Sequence, residues 1–171
     1  AAALDGSIED DLDWRSVKAG DVYYSPAGTV HAIGTGLTLI EVQQNVDLTY
    51  RLYDYGSGRE LHLDEGIAVA DPVPYVASFI PTDIAPGRRL LADGPAFVME
   101  RWTMPGDAPL APARDRPLLL IPLAGNGQID GAPLAAGTVW SVDGPARFSA
   151  EADFDLLLAY PGAGFVSSLR G

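Results

Sequence analysis

The chain has no cysteine, one lysine and two histidines in 171 residues. The missing cysteine excludes disulfides and thiolate metal sites, which is compatible with a cytoplasmic protein. Long apolar runs are also missing. "PLLLIPLAG" (Pro117 to Gly125) is far too short to cross a bilayer as a helix. The opening "AAALDGSIEDDLDW" has neither the basic nor the apolar region of a signal peptide. It does not begin with methionine, which is compatible with a processed product or a piece of a longer chain. Positive charge is scarce, and the formal net charge is −12. That charge disfavours nucleic acid and anionic membrane surfaces as partners.

What remains is β-like text. Helical periodicity is limited to the first dozen residues, where Ser7 in "GSIEDDLDW" is a candidate N-cap with acids behind it. From Val17 onward, "DVYYS", "LTLIEVQQ" and "DLTYRLYDY" are rich in β-branched and aromatic residues. Nineteen glycines and 14 prolines punctuate the chain at short intervals, as in a barrel or two-sheet sandwich. Two prolines break the pattern within "DEGIAVADPVPYV" (Asp64 to Val76). After the break, "SFIPTDI", "AFVMERWTM", "PLLLIPLAG", "NGQIDG", "TVWSVDG", "ARFSA" and "FDLLLAYPG" read as successive strands. "GNGQIDG" reads as a hairpin. "AGDVYYSPAG" and "AGTVWSVDGPA" share a weak echo, as an internal duplication would leave.

One stretch carries chemistry. In "GDVYYSPAGTVHAI", Pro26 fixes φ and Gly28 is free to take positive φ, so a tight turn precedes His31. An imidazole lining a β-barrel cavity can bind a metal; the plainer alternative is a hydrogen-bonded structural histidine. Glu41 lies ten positions further on. Strand alternation would place Glu41 and Gln43 on one face and Gln44 on the other.

The spacing Gly20-x5-Pro26-x-Gly28-x2-His31 matches the second motif of the cupin barrels. With "EVQQ", "TYRLYDYG" and "RELHL" in order, residues Val17 to Leu63 resemble the bacterial type I mannose-6-phosphate isomerases. The rest of the chain resembles them only as a β-rich C-terminal unit. The resemblance implies a mainly β, cupin-type fold in three parts. These are a lead-in over 1–16, the C-terminal half of a catalytic barrel over 17–70, and a metal-free cupin-like domain over 71–171. It implies a zinc-dependent aldose–ketose isomerase that interconverts mannose 6-phosphate and fructose 6-phosphate through an enediol.

Residue by residue, the resemblance makes His31 a zinc ligand and Glu41 an acid/base carboxylate. Arg51 becomes the active-site arginine that holds the enediolate or the phosphate, with a surface salt bridge as the alternative. Arg59 is a second candidate substrate contact; the alternative for Arg59, as for His62, is a structural residue in or just after a Gly-rich turn. A buried carboxyl at Glu41 would suit proton transfer; a structural acid is the alternative. "YGSGREL" departs from the family's "YGRPREL": an arginine is missing and Gly58 replaces a proline, so a looser turn is expected. Arg88, Arg89, Arg114 and Arg116 are expected to be solvated, with an approach to the phosphate as the alternative. The family's remaining zinc ligands come from a Gln-x-His segment that this sequence lacks, so they are expected upstream. Half a barrel leaves strand edges open. A homodimer or a bound N-terminal companion fragment is therefore expected. The alternative function is a non-catalytic cupin module that binds a sugar or a partner chain.

Overall fold

A computed structural model describes residues 1–113 and 115–169. The chain divides into two units. The N-terminal unit comprises Ala1–Ile40 and Asn45–Ala77; the C-terminal unit comprises Ser78 onward together with Glu41–Gln44.

All ten described strands belong to the C-terminal unit: β1 Thr82–Ala85, β2 Arg88–Asp93, β3 Phe97–Trp102, β4 Gly106–Leu110, β5 Leu118–Ala124, β6 Gly127–Ile129, β7 Ala132–Leu134, β8 Trp140–Val142, β9 Ala146–Ala150 and β10 Asp155–Pro161. They form two antiparallel sheets, ordered β1-β2-β3-β10-β5-β8 and β4-β9-β6-β7. Both sheets contribute to one core. Leu90, Val98, Trp102, Leu118, Leu120, Leu156 and Leu158 come from the first sheet; Leu110, Ile129, Leu134 and Phe148 come from the second. Alternate residues of β3, β9 and β10 join this core, as the pleat of a strand dictates. The Trp102 and Phe148 rings meet nearly edge to face, 6.1 Å apart, and tie the layers together.

Two local choices show why this text folds as it does. Asp130 and Gly131 both take positive φ (50° and 81°) in the two-residue link between β6 and β7. An Asp-Gly pair meets that demand, and the hairpin expected at "GNGQIDG" is present. Pro122 lies inside β5, yet β8 pairs only with Leu118–Leu120, so no ladder bond to β8 is needed there.

Three strands escaped the reading of composition: β2, β4 and β7. β2 opens with two arginines, and a bulge between Leu90 and Ala92 breaks its alternation. β4 contains Pro109, tolerable because β4 is an edge strand. Such strands are specified by their partners more than by their own residues.

The text before Ser78, which includes the N-terminal unit, departs from expectation. "DVYYS", "LTLIEVQQ" and "DLTYRLYDY" form no strand among the described residues. Its regular elements are helix α1 Ala2–Asp5, a 3₁₀ helix Ser7–Asp11 and helix α2 Leu63–Val69. The expected single N-terminal helix is split by Gly6, whose φ of 87° no L-residue adopts easily. Ser7 is not its N-cap. Asp5 instead accepts hydrogen bonds from the Ser7 amide (2.9 Å) and hydroxyl (2.7 Å). These bonds hold the Asp5 carboxyl below its ordinary pKa. Helix α2 covers the first part of the stretch read as a break and ends before its two prolines.

Candidate active-site segment

The turn before His31 forms as its residues dictate. The Thr29 amide donates to the Pro26 carbonyl at 3.1 Å, and Gly28 takes φ 87°. The Gly28 carbonyl accepts from the Asp71 amide at 2.9 Å, docking the chain after α2 onto this turn.

His31 is exposed. Its Nδ1 lies 2.9 Å from the Thr29 carbonyl oxygen. A carbonyl can only accept, so Nδ1 must carry the proton. In the neutral ring the Nε2 lone pair is then free for a metal or a proton.

His62 has the opposite assignment. Its Nδ1 accepts from the Arg51 amide at 3.1 Å. The neutral ring then carries its proton on Nε2, which leaves no lone pair for a metal while this bond holds. The two histidines are therefore chemically distinct. Only His31 offers an imidazole nitrogen to a cation.

Arg51 is half-buried, and its guanidinium donates to the Glu60 carbonyl at 3.0 Å. Among the described residues that is the guanidinium's one hydrogen bond, so most of the planar fork remains for an anion. The His62 amide returns a bond to the Arg51 carbonyl at 2.8 Å. The residues between them form a loop closed at its base. At its tip, buried Asp54 accepts from the Arg59 amide (2.7 Å), the Gly56 amide (3.0 Å) and the Ser57 hydroxyl (3.2 Å). Burial opposes ionisation of Asp54, but these donors prevail and its pKa is lowered. The Arg59 guanidinium donates to the Ser57 hydroxyl at 2.9 Å and is otherwise exposed. The looser turn expected from the missing proline is instead pinned by Asp54.

Glu41 is exposed rather than buried and groups with the C-terminal unit, whereas His31, Arg51 and Arg59 lie in the other. No three His, Cys, Asp or Glu side chains among the described residues gather as a metal site. His31 suits one coordination position; the described residues do not assemble a full ligand set.

Sequence reading missed the most densely bonded polar group of the C-terminal unit. Arg88, expected to be solvated, is buried and paired bidentately with fully buried Glu100 at 2.8–2.9 Å. Arg88 and Glu100 sit on neighbouring inward positions of β2 and β3, where only mutual neutralisation makes burial tolerable. Glu100 also accepts from Trp102 Nε1 (2.7 Å) and the Tyr160 hydroxyl (2.6 Å). Arg88 reaches on to the Val166 and Ser167 carbonyls, both at 3.0 Å, and holds the C-terminal segment. Burial first, and the bond to Glu100 second, raise the Tyr160 pKa. Arg116 is only half-buried, and donates to the Pro161 and Gly164 carbonyls. Arg89 remains exposed, as expected, beside a shallow cleft of about 550 Å³ that also holds Arg101. Arg114 lies outside the described residues.

The architecture is thus mainly β, in two antiparallel sheets with few helices, and solved structures similar to it include cupin domains. A cupin-2 domain containing protein from Shewanella frigidimarina is one, at 18% identity and TM-score 0.39, covering 43% of this chain and 78% of that one. The mannose 6-phosphate isomerase of Bacillus subtilis is also similar in structure, at 25% identity and TM-score 0.46, covering 68% and 41%. By sequence the relationship is sharper. "Mannose-6-phosphate isomerase ManA" of B. subtilis is 40% identical over 66% of this chain and 38% of its own length. "Mannose-6-phosphate isomerase" of Streptococcus mutans is 36% identical over the same shares, and "Putative mannose-6-phosphate isomerase YvyI" of B. subtilis 37% over 58% and 36%. The chain is homologous to these mannose-6-phosphate isomerases and spans under two fifths of the length of each of these three. No protein-family model matches it.

Proposed function

We propose that the chain is the C-terminal part of a zinc-dependent mannose-6-phosphate isomerase, with residues 17–70 belonging to the catalytic barrel and 71–171 to a companion cupin-like domain. The sequence relationship to three proteins of that name carries the reading. A cytoplasmic site of action belongs to the same proposal. Among the described residues, no helix is long and apolar enough to cross a membrane.

His31 offers Nε2 to the metal, with Nδ1 held by Thr29, and the remaining ligands come from beyond this chain. A zinc ion held in part by His31 would supply Lewis-acid chemistry toward a sugar oxygen. Arg51 presents its guanidinium fork to the enediolate or the phosphate, and Arg59 adds a second cation from the Asp54-pinned tip of the loop. Glu41 is the assigned acid/base group. A base removes the C2 proton of the aldose and returns a proton to C1 as hydrogen shifts from O2 to O1, giving the ketose.

The test is a coupled assay of mannose 6-phosphate isomerisation on the chain with and without zinc, alongside calorimetric binding of the same sugar. Turnover that a chelator removes and zinc restores supports the proposal. Saturable binding without turnover fits a chain that supplies one zinc ligand, and turnover gained on adding the segment that carries the remaining ligands would then separate the isomerase from a non-catalytic cupin module. Absence of both overturns the sugar-phosphate reading.

A further inference from the structure

We propose that His62 is a positioning residue for Arg51, an inference that rests on the sugar-phosphate reading above. Two reciprocal bonds join the residues: Arg51 N–H to His62 Nδ1 at 3.1 Å, and His62 N–H to the Arg51 carbonyl at 2.8 Å. The second bond is main chain to main chain and any residue at 62 could make it. The first requires a side-chain acceptor at one point, because the Arg51 amide is half-buried and needs a partner.

The imidazole is itself held. The Tyr50 ring lies tilted against it, 6.1 Å between centroids. Helix α2 begins immediately after His62, and the Gly66 amide donates to the His62 carbonyl at 2.9 Å. Buried Gly66 brings α2 close to the chain around Arg51: a Cβ built there would lie 2.6 Å from Leu52 Cδ2 and 3.4 Å from Tyr50 Cβ. Residues 50–52 are thus clamped between a helix and an imidazole. Arg51 projects from that clamp, and its guanidinium is steered further by the Glu60 carbonyl. A side chain that must meet an anion bidentately gains most from a fixed origin, since small displacements cost bonds.

The tautomer argument separates this role from metal binding. With Nδ1 accepting, the ring has no free lone pair, so His62 serves Arg51 and not a cation. An asparagine at 62 would place its Oδ1 acceptor near the same point, whereas alanine would not.

The experiment uses the full chain titrated with mannose 6-phosphate, comparing wild type, Arg51→Ala, His62→Ala and His62→Asn. Long-range ¹H–¹⁵N correlation should show His62 protonated at Nε2 and His31 at Nδ1. His62→Ala should weaken binding about fivefold, the effect of one lost hydrogen bond, and His62→Asn should restore it to within about twofold. Arg51→Ala should weaken it more than either. Binding unchanged in His62→Ala but weakened in Arg51→Ala overturns the inference alone, as does His62→Asn binding as poorly as His62→Ala with unaltered thermal stability. Arg51→Ala binding like wild type overturns the reading and the inference together.

Discussion

The two units have similar apolar vocabularies and opposite outcomes. In the C-terminal unit, Leu118, Leu120, Leu156 and Leu158 are fully buried between two sheets. In the N-terminal unit, Trp14, Tyr23, Ile33, Ile67 and Val76 are 50–80% exposed. The difference lies in partners, not composition. A strand's hydrogen bonds go to another strand, so β-like residues with none beside them stay extended and unpaired. "PLLLIPLAG" has β10 and β8 as neighbours. "LTLIEVQQ" has no strand partner among the described residues. The N-terminal unit is instead held by point contacts: the Gly28–Asp71 bond, the Arg51–His62 pair and the donors around Asp54.

The largest test of this contrast removes the buried anion of the C-terminal unit. Glu100→Ala strands the Arg88 guanidinium and leaves Trp102 and Tyr160 without their acceptor. Breaking one side of a buried pair costs about 3–5 kcal/mol. Because all described strands lie in this unit, far-ultraviolet circular dichroism in a denaturant series reads the loss directly. A shift below about 1 kcal/mol would show that water reaches Arg88. The paired change Arg88→Met/Glu100→Leu should recover most of the loss, since neither charge is then left alone.

These contrasts explain what the residues reveal by themselves. The Asp130-Gly131 hairpin and the Pro26–Gly28 turn are readable because their constraints are local: particular residues tolerate particular φ values. The alternating strands of the C-terminal unit are readable because their partners are present. Arg88 is not readable, because its burial depends on Glu100 twelve positions away, and two adjacent arginines look solvated. His62 looks like turn punctuation until its Nδ1 is seen against the Arg51 amide. The strands expected in the N-terminal unit fail for the complementary reason: residue type expresses willingness to pair, and pairing is a property of the neighbourhood.

A smaller effect is expected at the turn before His31. A Cβ at Gly28 would lie 2.9 Å from the Val69 carbonyl oxygen, and the φ of 87° disfavours any L-residue. Gly28→Ala should cost about 1–2 kcal/mol locally, from strain and the lost bond to Asp71. Hydrogen exchange at the Asp71 amide should accelerate while that of β5 and β10 stays unchanged. Equal acceleration in both units would show that they unfold as one cooperative body.

The mildest probe uses pH, which should act on the two units from opposite ends. Asp54 has a lowered pKa, so its stabilisation is present above the ordinary carboxylate value near 3.8 and is lost as pH falls through the folded-state value. Tyr160 has a raised pKa; its stabilisation is present below the ordinary phenol value of 10.0 and declines as pH rises above it, because the unfolded chain then releases a proton that the folded chain keeps. Acid should therefore speed exchange at the Arg59 amide first, while alkali should lower the denaturant midpoint of the sheets with a steepness of about one proton. Tyr160→Phe should abolish the contribution of this phenol to the alkaline slope and leave the acid response of Arg59 untouched. If the substitution shifts both limbs, the two polar networks are energetically coupled, and the division between a sheet-built unit and a point-contact unit fails as a description of stability.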